Sequence, residues 1–310
     1  MSEAVNGRRG ALPPGVSRSL DLQERLREHS YLADEGLSTA IFLALKLGRP
    51  LFLEGEAGVG KTEVAKVLGR ILDTPLIRLQ CYEGIDVYQA VYEWDYARQL
   101  LHIRAVEALG TTENREHFED ELYTRQFLVR RPLLQALEHR GENPPILLID
   151  EVDRADDEFE AFLLEILSDF AITIPEIGTI KAERPPVAIL TSNRTREVHD
   201  ALKRRCLYFF IDHPGLEREV EIVRLRVPGV EESLARQVAA AVQRLRSMDL
   251  YKPPGVAETL DWTEALVALG AKELDEALIE ATLGSVVKYR EDQQRALGAS
   301  PSLVAGASGA

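Results

Sequence analysis

Cysteine is scarce in this chain of 310 residues: only Cys81 and Cys206 occur, and neither has a second Cys or a His at metal-ligand spacing. That argues against a zinc site and leaves two buried free thiols as the reading, which fits a reducing compartment. Long apolar stretches are missing as well. No run of 18 apolar residues occurs, so no membrane-spanning helix is expected. Met1 to Ser19 carries Arg8 and Arg9 with no apolar segment after them, unlike a secretory leader, and a cytoplasmic location is the expectation. Basic residues are outnumbered, 37 Lys and Arg against 51 Asp and Glu, for a formal charge of −14. The summed field repels nucleic acid, whose binding depends on neutralised phosphates, so nucleic acid is not an expected partner. Lys203, Arg204 and Arg205 nonetheless form a local basic cluster. No repeat of fixed period is present, which removes solenoid folds.

What remains is ordinary for a folded globular chain, with 45% hydrophobic and 28% charged residues. The length suits a main domain with a smaller satellite. Residues 1–19, rich in Gly, Pro, Ser and Arg, and residues 293–310, ending in small uncharged residues, are expected to lie outside the fold as disordered tails. Between them helical and strand signals alternate. Asp34 to Leu47 has an apolar face at helical spacing. Pro50 to Leu53 is a short apolar run ending at Glu54-Gly55, Thr62 to Leu72 is again helical, and Pro75 to Leu79 reads as the next strand. This is a βαβ unit. Ile146 to Ile149 and Val187 to Leu190 are short, fully apolar runs, as parallel strands covered on both faces are, and Leu207 to Ile211 is a fifth candidate strand. From Leu216 onward strand signals vanish and amphipathic helices follow. The expected fold class is α/β: a parallel-sheet core of the P-loop NTPase type over residues 20–214, followed by a small all-helical lid over 215–292.

Gly55-Glu56-Ala57-Gly58-Val59-Gly60-Lys61-Thr62 satisfies G-x-x-x-x-G-K-[ST], after a predicted strand and opening a predicted helix, with Glu63 next on that helix. Glycines let successive backbone N–H groups face phosphate oxygens, and the helix start adds its positive dipole end. Lys61 would reach the β- and γ-phosphates of ATP, and the Thr62 hydroxyl would ligate Mg2+. Asp150-Glu151 follows an apolar strand and should emerge at its carboxyl edge, where open α/β sheets bind ligands. Asp150 would hold magnesium and Glu151 would polarise the attacking water as general base. Asn193 ends another strand and stands open between orienting that water and capping a turn. Arg204 and Arg205 close a helix, either as dipole partners or as an arginine finger reaching a neighbouring subunit's site.

Gly55 to Thr62, Ile146 to Glu151, Asn193 and Arg204-Arg205, followed by a helical region, resemble the AAA+ ATPases in order and spacing over roughly residues 20 to 292. Gln80 to Asp86, Tyr92-Glu93-Trp94, Arg98 to Leu101, Arg131 to Leu134 and Pro254 to Thr259 further resemble the MoxR group, and within it the accessory ATPases of molybdenum-containing carbon monoxide dehydrogenases. The resemblance implies a homo-oligomeric ring, a hexamer, with ATP at subunit interfaces, Asn193 as sensor and Arg204 or Arg205 acting in trans. It also implies a protein client such as a metalloenzyme and a partner with a von Willebrand factor A domain. Gln80 to Tyr96 would carry an extra hairpin, and Ile172 to Gly178 a hairpin before the sensor strand. One stretch departs from the family: Ala257-Glu258-Thr259-Leu260 stands where many members place a second sensor arginine, so either lid sensing is weakened or a group such as Arg244 or Lys252 substitutes. A nucleic-acid motor and a nucleotide-gated scaffold are the competing readings, the first opposed by the negative charge and the second by the intact Lys61, Thr62, Asp150 and Glu151. No Asn-Lys-x-Asp segment points to guanine.

Overall fold

The computed structural model describes residues 10–109 and 121–305. Five strands form its main sheet: β1 (Leu51–Gly55), β2 (Leu76–Gln80), β5 (Ile146–Asp150), β8 (Val187–Ser192) and β9 (Leu207–Ile211). Their order is β2-β5-β8-β1-β9. β1 pairs parallel with β8, β8 with β5, and β5 with β2. Leu51 to Leu53 and Ile146 to Ile149 are almost wholly buried. A side chain of that size contributes about 1.5–3 kcal/mol when removed from water, which explains why these short, uninterrupted apolar runs take central places. The parallel register puts Glu54 beside Ser192 and Gln80 beside Asp150, so the carboxyl ends of four strands share one edge.

Helices follow local signals. Glu35–Leu47 starts at Asp34, whose side chain accepts from Leu37 N at 2.7 Å, and stops at Gly48 with φ 62°. Lys61–Ile71 opens after the glycine loop, and Asp157–Asp169 is capped by Asp156. The hairpin expected before the sensor strand is present as β6 (Ala171–Ile174) and β7 (Gly178–Lys181), antiparallel. The other one is different. β3 (Tyr92–Trp94) pairs not within Gln80 to Tyr96 but with β4 (Leu128–Arg130), far along the chain. Two three-residue strands leave no alternating pattern long enough to reveal their pairing.

The described residues divide into two compact units, the first made of 10–25, 34–54, 65–109 and 121–209 and the second of 26–33, 55–64 and 210–305. The core of the first gathers around Phe52, Leu147, Ile149, Leu163, Phe170 and Leu190. The second is helical past β9, with Leu216–Arg226, Glu232–Ser247, Val256–Ala268 and Glu276–Val286 among its helices. Its core centres on Val238, Leu245, Trp262 and Leu283, and the fully buried Trp262 donates its Nε1–H to Thr282 Oγ1 at 2.7 Å. Both expected tails need correction. Residues 10–18 pack within the first unit, with Ala11 N donating to Leu45 O at 2.9 Å and Val16 buried. At the other end Arg290–Gly298 and Ser300–Ala305 are helices that bury Ala296 and Leu303, and Arg244 binds the Leu303 carbonyl at 2.9 Å. The lack of charge that reads as an unstructured end is also what allows these residues into a core. Residues 1–9 and 306–310 lie outside the described residues.

Candidate nucleotide-binding and hydrolytic site

The loop after β1 belongs to the second unit. Gly58 (φ 78°) and Gly60 (φ 95°) hold left-handed conformations that side chains rarely adopt. Gly55 passes so close to the Ile211 carbonyl that a Cβ would lie 2.3 Å from its oxygen. Lys61 begins the next helix, is buried, and donates from Nζ to the carbonyls of Gly55 at 2.8 Å and Glu56 at 2.6 Å. Glu56 is exposed, Val59 is buried, Thr62 is half-buried and Glu63 pairs with Arg226 at 3.3 Å. The start of the helix Val256–Ala268 packs on this loop: Ala257 N donates to Gly58 O at 3.1 Å, and a Cβ on Gly255 would fall 2.8 Å from Gly58 Cα. Arg244 is turned to the Ser302 and Leu303 carbonyls, and the half-buried Arg246 forms a bidentate pair with the buried Glu219, 2.7 Å at each oxygen.

The first unit carries the acids. Asp150, 3% exposed, ends β5; its Oδ1 accepts from the Thr191 hydroxyl at 2.5 Å, and its Oδ2 accepts from Arg78 Nε at 2.9 Å and Nη2 at 2.6 Å. Glu151 turns out of the strand at φ 54°, a conformation costly for a side chain with a Cβ, and its N–H is held by Thr191 Oγ1 at 2.9 Å. The next turn, Val152–Arg154, buries Asp153, whose Oδ2 accepts from Asn193 N at 3.2 Å, Thr195 N at 2.8 Å and Thr195 Oγ1 at 2.7 Å. Asp153 thus ties Asn193 to the turn that bears Glu151, and Asn193 is half-buried there. Glu160, 1% exposed, accepts from His199 N at 2.7 Å and pairs with Arg196. Arg204 and Arg205 end the helix Asp200–Arg205 and are exposed, Arg204 lying 3.6 Å from Asp200. Cys81 and Cys206 are free and buried, and burial pushes each thiol up to about 12, which keeps them protonated and unreactive at neutral pH.

These donor sets suit a nucleotide and its magnesium. Lys61 is a cation at a helix start behind left-handed glycines, a combination of the kind an oxyanion takes. Asp150 in the first unit and Thr62 in the second each carry an oxygen of the hard kind that magnesium prefers, those of Asp150 accepting here from Thr191 and Arg78. Among the described residues no three His, Cys, Asp or Glu gather as a metal cage. Magnesium held chiefly by phosphates and water needs only one or two protein oxygens.

The AAA domain model of the dynein-related subfamily matches residues 50–206, from the residue before β1 to the residue before β9. The chain belongs to that AAA family. Its sequence is similar to the gas vesicle ATPase GvpN of Haloferax mediterranei, 25% identical over 213 residues, which cover 65% of this chain and 58% of the relative. The AAA chain thus spans less than two thirds of that relative's length. Among solved structures it is similar to the Thermotoga maritima RuvB Holliday junction branch migration motor, at 16% identity and a TM-score of 0.45, with 84% of this chain and 68% of that one covered. A lysine-to-arginine mutant of the same motor gives a TM-score of 0.48 at 16% identity, with 85% and 68% covered. Among the described residues no helix is long and apolar enough to cross a membrane.

Within the first unit, then, Asp150, Glu151 and Asn193 are joined through Thr191 and Asp153, and Gly55 to Glu63 are gathered in the second. Sequence reasoning gave no role to Arg78, Asp153 or Glu160, and read Thr191 only as one of the polar residues that end the strand at Asn193. An arginine inside a strand of otherwise apolar character is a signal for the first. The acids after Asp150 read equally well as a solvated turn.

Proposed function

We propose that this AAA chain is a magnesium-dependent ATPase that works as a homo-oligomeric ring, a hexamer, and uses hydrolysis to remodel or mature a protein client. The observation that carries the proposal is the glycine loop Gly55 to Thr62, with its left-handed Gly58 and Gly60 and its buried Lys61 at a helix start. Backbone N–H groups and Lys61 would hold the β- and γ-phosphates, with Glu56, Ala57, Val59 and Glu63 in the same stretch, and Thr62 and Asp150 would supply protein oxygens to magnesium. Bound magnesium would neutralise charge on the phosphates. Glu151, fixed by Thr191 in its left-handed turn, would take the proton of the attacking water. Asn193, held through Asp153, would orient that water. Arg204 and Arg205, exposed at a helix end, would serve a neighbouring subunit's site.

The finer reading is of a MoxR-type chaperone with a metalloenzyme client such as a molybdenum-copper carbon monoxide dehydrogenase, and a von Willebrand factor A domain partner. It is supported by the segments Gln80 to Asp86 and Pro254 to Thr259, and it puts the protein in the cytoplasm without nucleic acid. The test is steady-state ATP hydrolysis against protein concentration, with mass photometry on the same samples and Glu151→Gln as control. Specific activity that rises as rings assemble supports the reading. A monomer hydrolysing at a concentration-independent rate removes the ring and the trans arginine together.

A further inference from the structure

Glu54 is 7% exposed, and a carboxylate so placed requires donors and cations around it. It finds three, each from a different segment: Tyr208 Oη donates at 3.1 Å from β9, Lys203 Nζ stands at 3.5 Å from the helix Asp200–Arg205, and Arg194 Nε at 3.7 Å from the loop after β8. Lys203 Nζ also lies over the Phe52 ring, 5.9 Å from its centroid, and that ring stacks on Tyr208 at 6.0 Å. Lys203 is therefore fixed by a carboxylate and an aromatic face of the same strand. On the other side, Arg49, just ahead of β1, donates from Nη2 to the carbonyls of Arg204, Arg205 and Cys206 at 3.2, 3.3 and 3.3 Å.

The helix Asp200–Arg205 has six residues. So short a helix has little stability of its own, and its direction is set by what it is fastened to. Arg204, its side chain 82% exposed, takes its direction from that helix. We propose that Glu54 is a positioning residue for the trans arginines: through Lys203 it orients the helix that presents Arg204 and Arg205, and so acts on a neighbouring subunit's site and not on its own. The inference rests on the proposed function, in which those arginines work in trans.

The role predicts a pattern of complementation that a merely structural role would not produce. Glu54→Gln keeps an acceptor for Tyr208 but releases Lys203 and Arg194. Alone, it should assemble normally and bind a fluorescent ATP analogue within about twofold of the parent. Its turnover should fall at least about tenfold, and by no more than the roughly 10³–10⁵ that such an arginine can contribute. Mixed with Glu151→Gln, whose arginines are intact, it should regain activity. Mixed with the Arg204→Ala/Arg205→Ala variant, it should not, since both partners then fail on the same side of the interface. Glu54→Asp should restore part of the turnover. Lys203→Met, a separate approach to the same contact should Glu54→Gln fold poorly, should show the same pattern. Recovery with Arg204→Ala/Arg205→Ala, or full turnover by both Glu54→Gln and Lys203→Met, overturns the inference while leaving the ATPase reading intact. The control pair, Arg204→Ala/Arg205→Ala with Glu151→Gln, separates the two: no recovery there, in rings shown by tag co-purification to be mixed, removes the trans role itself and the inference with it.

Discussion

Arg246→Met offers the strongest test of how the helical unit is held together. Arg246 has a side chain 9% exposed and Glu219 one that is 0% exposed, and they share two hydrogen bonds of 2.7 Å. Thr259 Oγ1 adds a third donor to Glu219 at 2.7 Å, and Arg246 Nε reaches the Pro254 carbonyl at 2.8 Å. Methionine matches the stem of arginine but leaves Glu219 buried without its cation. Breaking such a pair costs about 3–5 kcal/mol, a large part of the roughly 5–15 kcal/mol by which a domain is stable. Glu219→Met/Arg246→Met should recover most of the loss, because no charge is then stranded, so the double-mutant cycle should show strong coupling. Urea unfolding followed by Trp262 fluorescence in a Trp94→Phe background reports this unit alone. Arg246 also fixes Pro254, ahead of the Gly255 that rests on Gly58, so Arg246→Met should in addition weaken binding of a fluorescent ATP analogue. A loss within about 1 kcal/mol, the range of an exposed pair, or an additive double variant would refute the reasoning.

Three further outcomes are expected. Lys61→Ala should abolish nucleotide binding measured by a fluorescent ATP analogue, and unchanged affinity would dismiss the loop as a phosphate site. Asp153→Ala removes the one oxygen that accepts from Asn193 N, Thr195 N and Thr195 Oγ1, so Asn193 should shift; turnover should fall about a hundredfold, as for a catalytic group displaced by ~1 Å, with nucleotide affinity kept. A stability effect without that split between turnover and affinity would reduce Asp153 to packing. His213 is held below the usual imidazole range by burial first and by Arg246 next, so between the unfolded value near 6.5 and its lower folded value the unfolded chain binds more protons. Stability is then full above about pH 6.5 and declines as pH falls through that window, and His213→Gln should flatten the decline in urea midpoints between about pH 8 and pH 5.

The sheet was legible because its central strands are short runs of Leu, Ile, Val and Phe with turn residues at each end, a pattern burial on both faces imposes. The loop was legible because phosphate geometry demands glycine at fixed positions. Less could be read where chemistry depends on partners distant in sequence. Asp153, Asp156, Asp157, Glu158 and Glu160 look alike in a row, yet Asp153 and Glu160 are buried on the segment from Asn193 to His199, Asp156 caps a helix, and Asp157 and Glu158 are exposed. Helical spacing puts Asp157 and Glu160 on one face, where Arg196 reaches both, so phase does not tell the exposed acid from the buried one. Pairing of β3 with β4 rests on three residues each, too few for period-two alternation to show.

The absence of a second sensor arginine also acquires a physical account. Ala257-Glu258 lies at the start of the helix Val256–Ala268, where Glu258 Oε2 accepts from Gly255 N at 2.9 Å and Ala257 N donates to Gly58 O at 3.1 Å. Contact with the loop is therefore made by a backbone hydrogen bond, by two glycines close enough to exclude a Cβ, and by the Glu258 carboxylate, whose Oε2 would lie 2.8 Å from a Cβ on Gly58. An arginine does hold this region in shape, but it is Arg246, neutralised by the buried Glu219. A guanidinium at position 257 would gain affinity only from phosphate charge. A backbone bond to Gly58 depends instead on the loop's conformation. In this chain the start of that helix meets the loop through its own backbone, and on the proposed function a response to γ-phosphate charge would fall to Lys61, Asn193 and a neighbour's arginines.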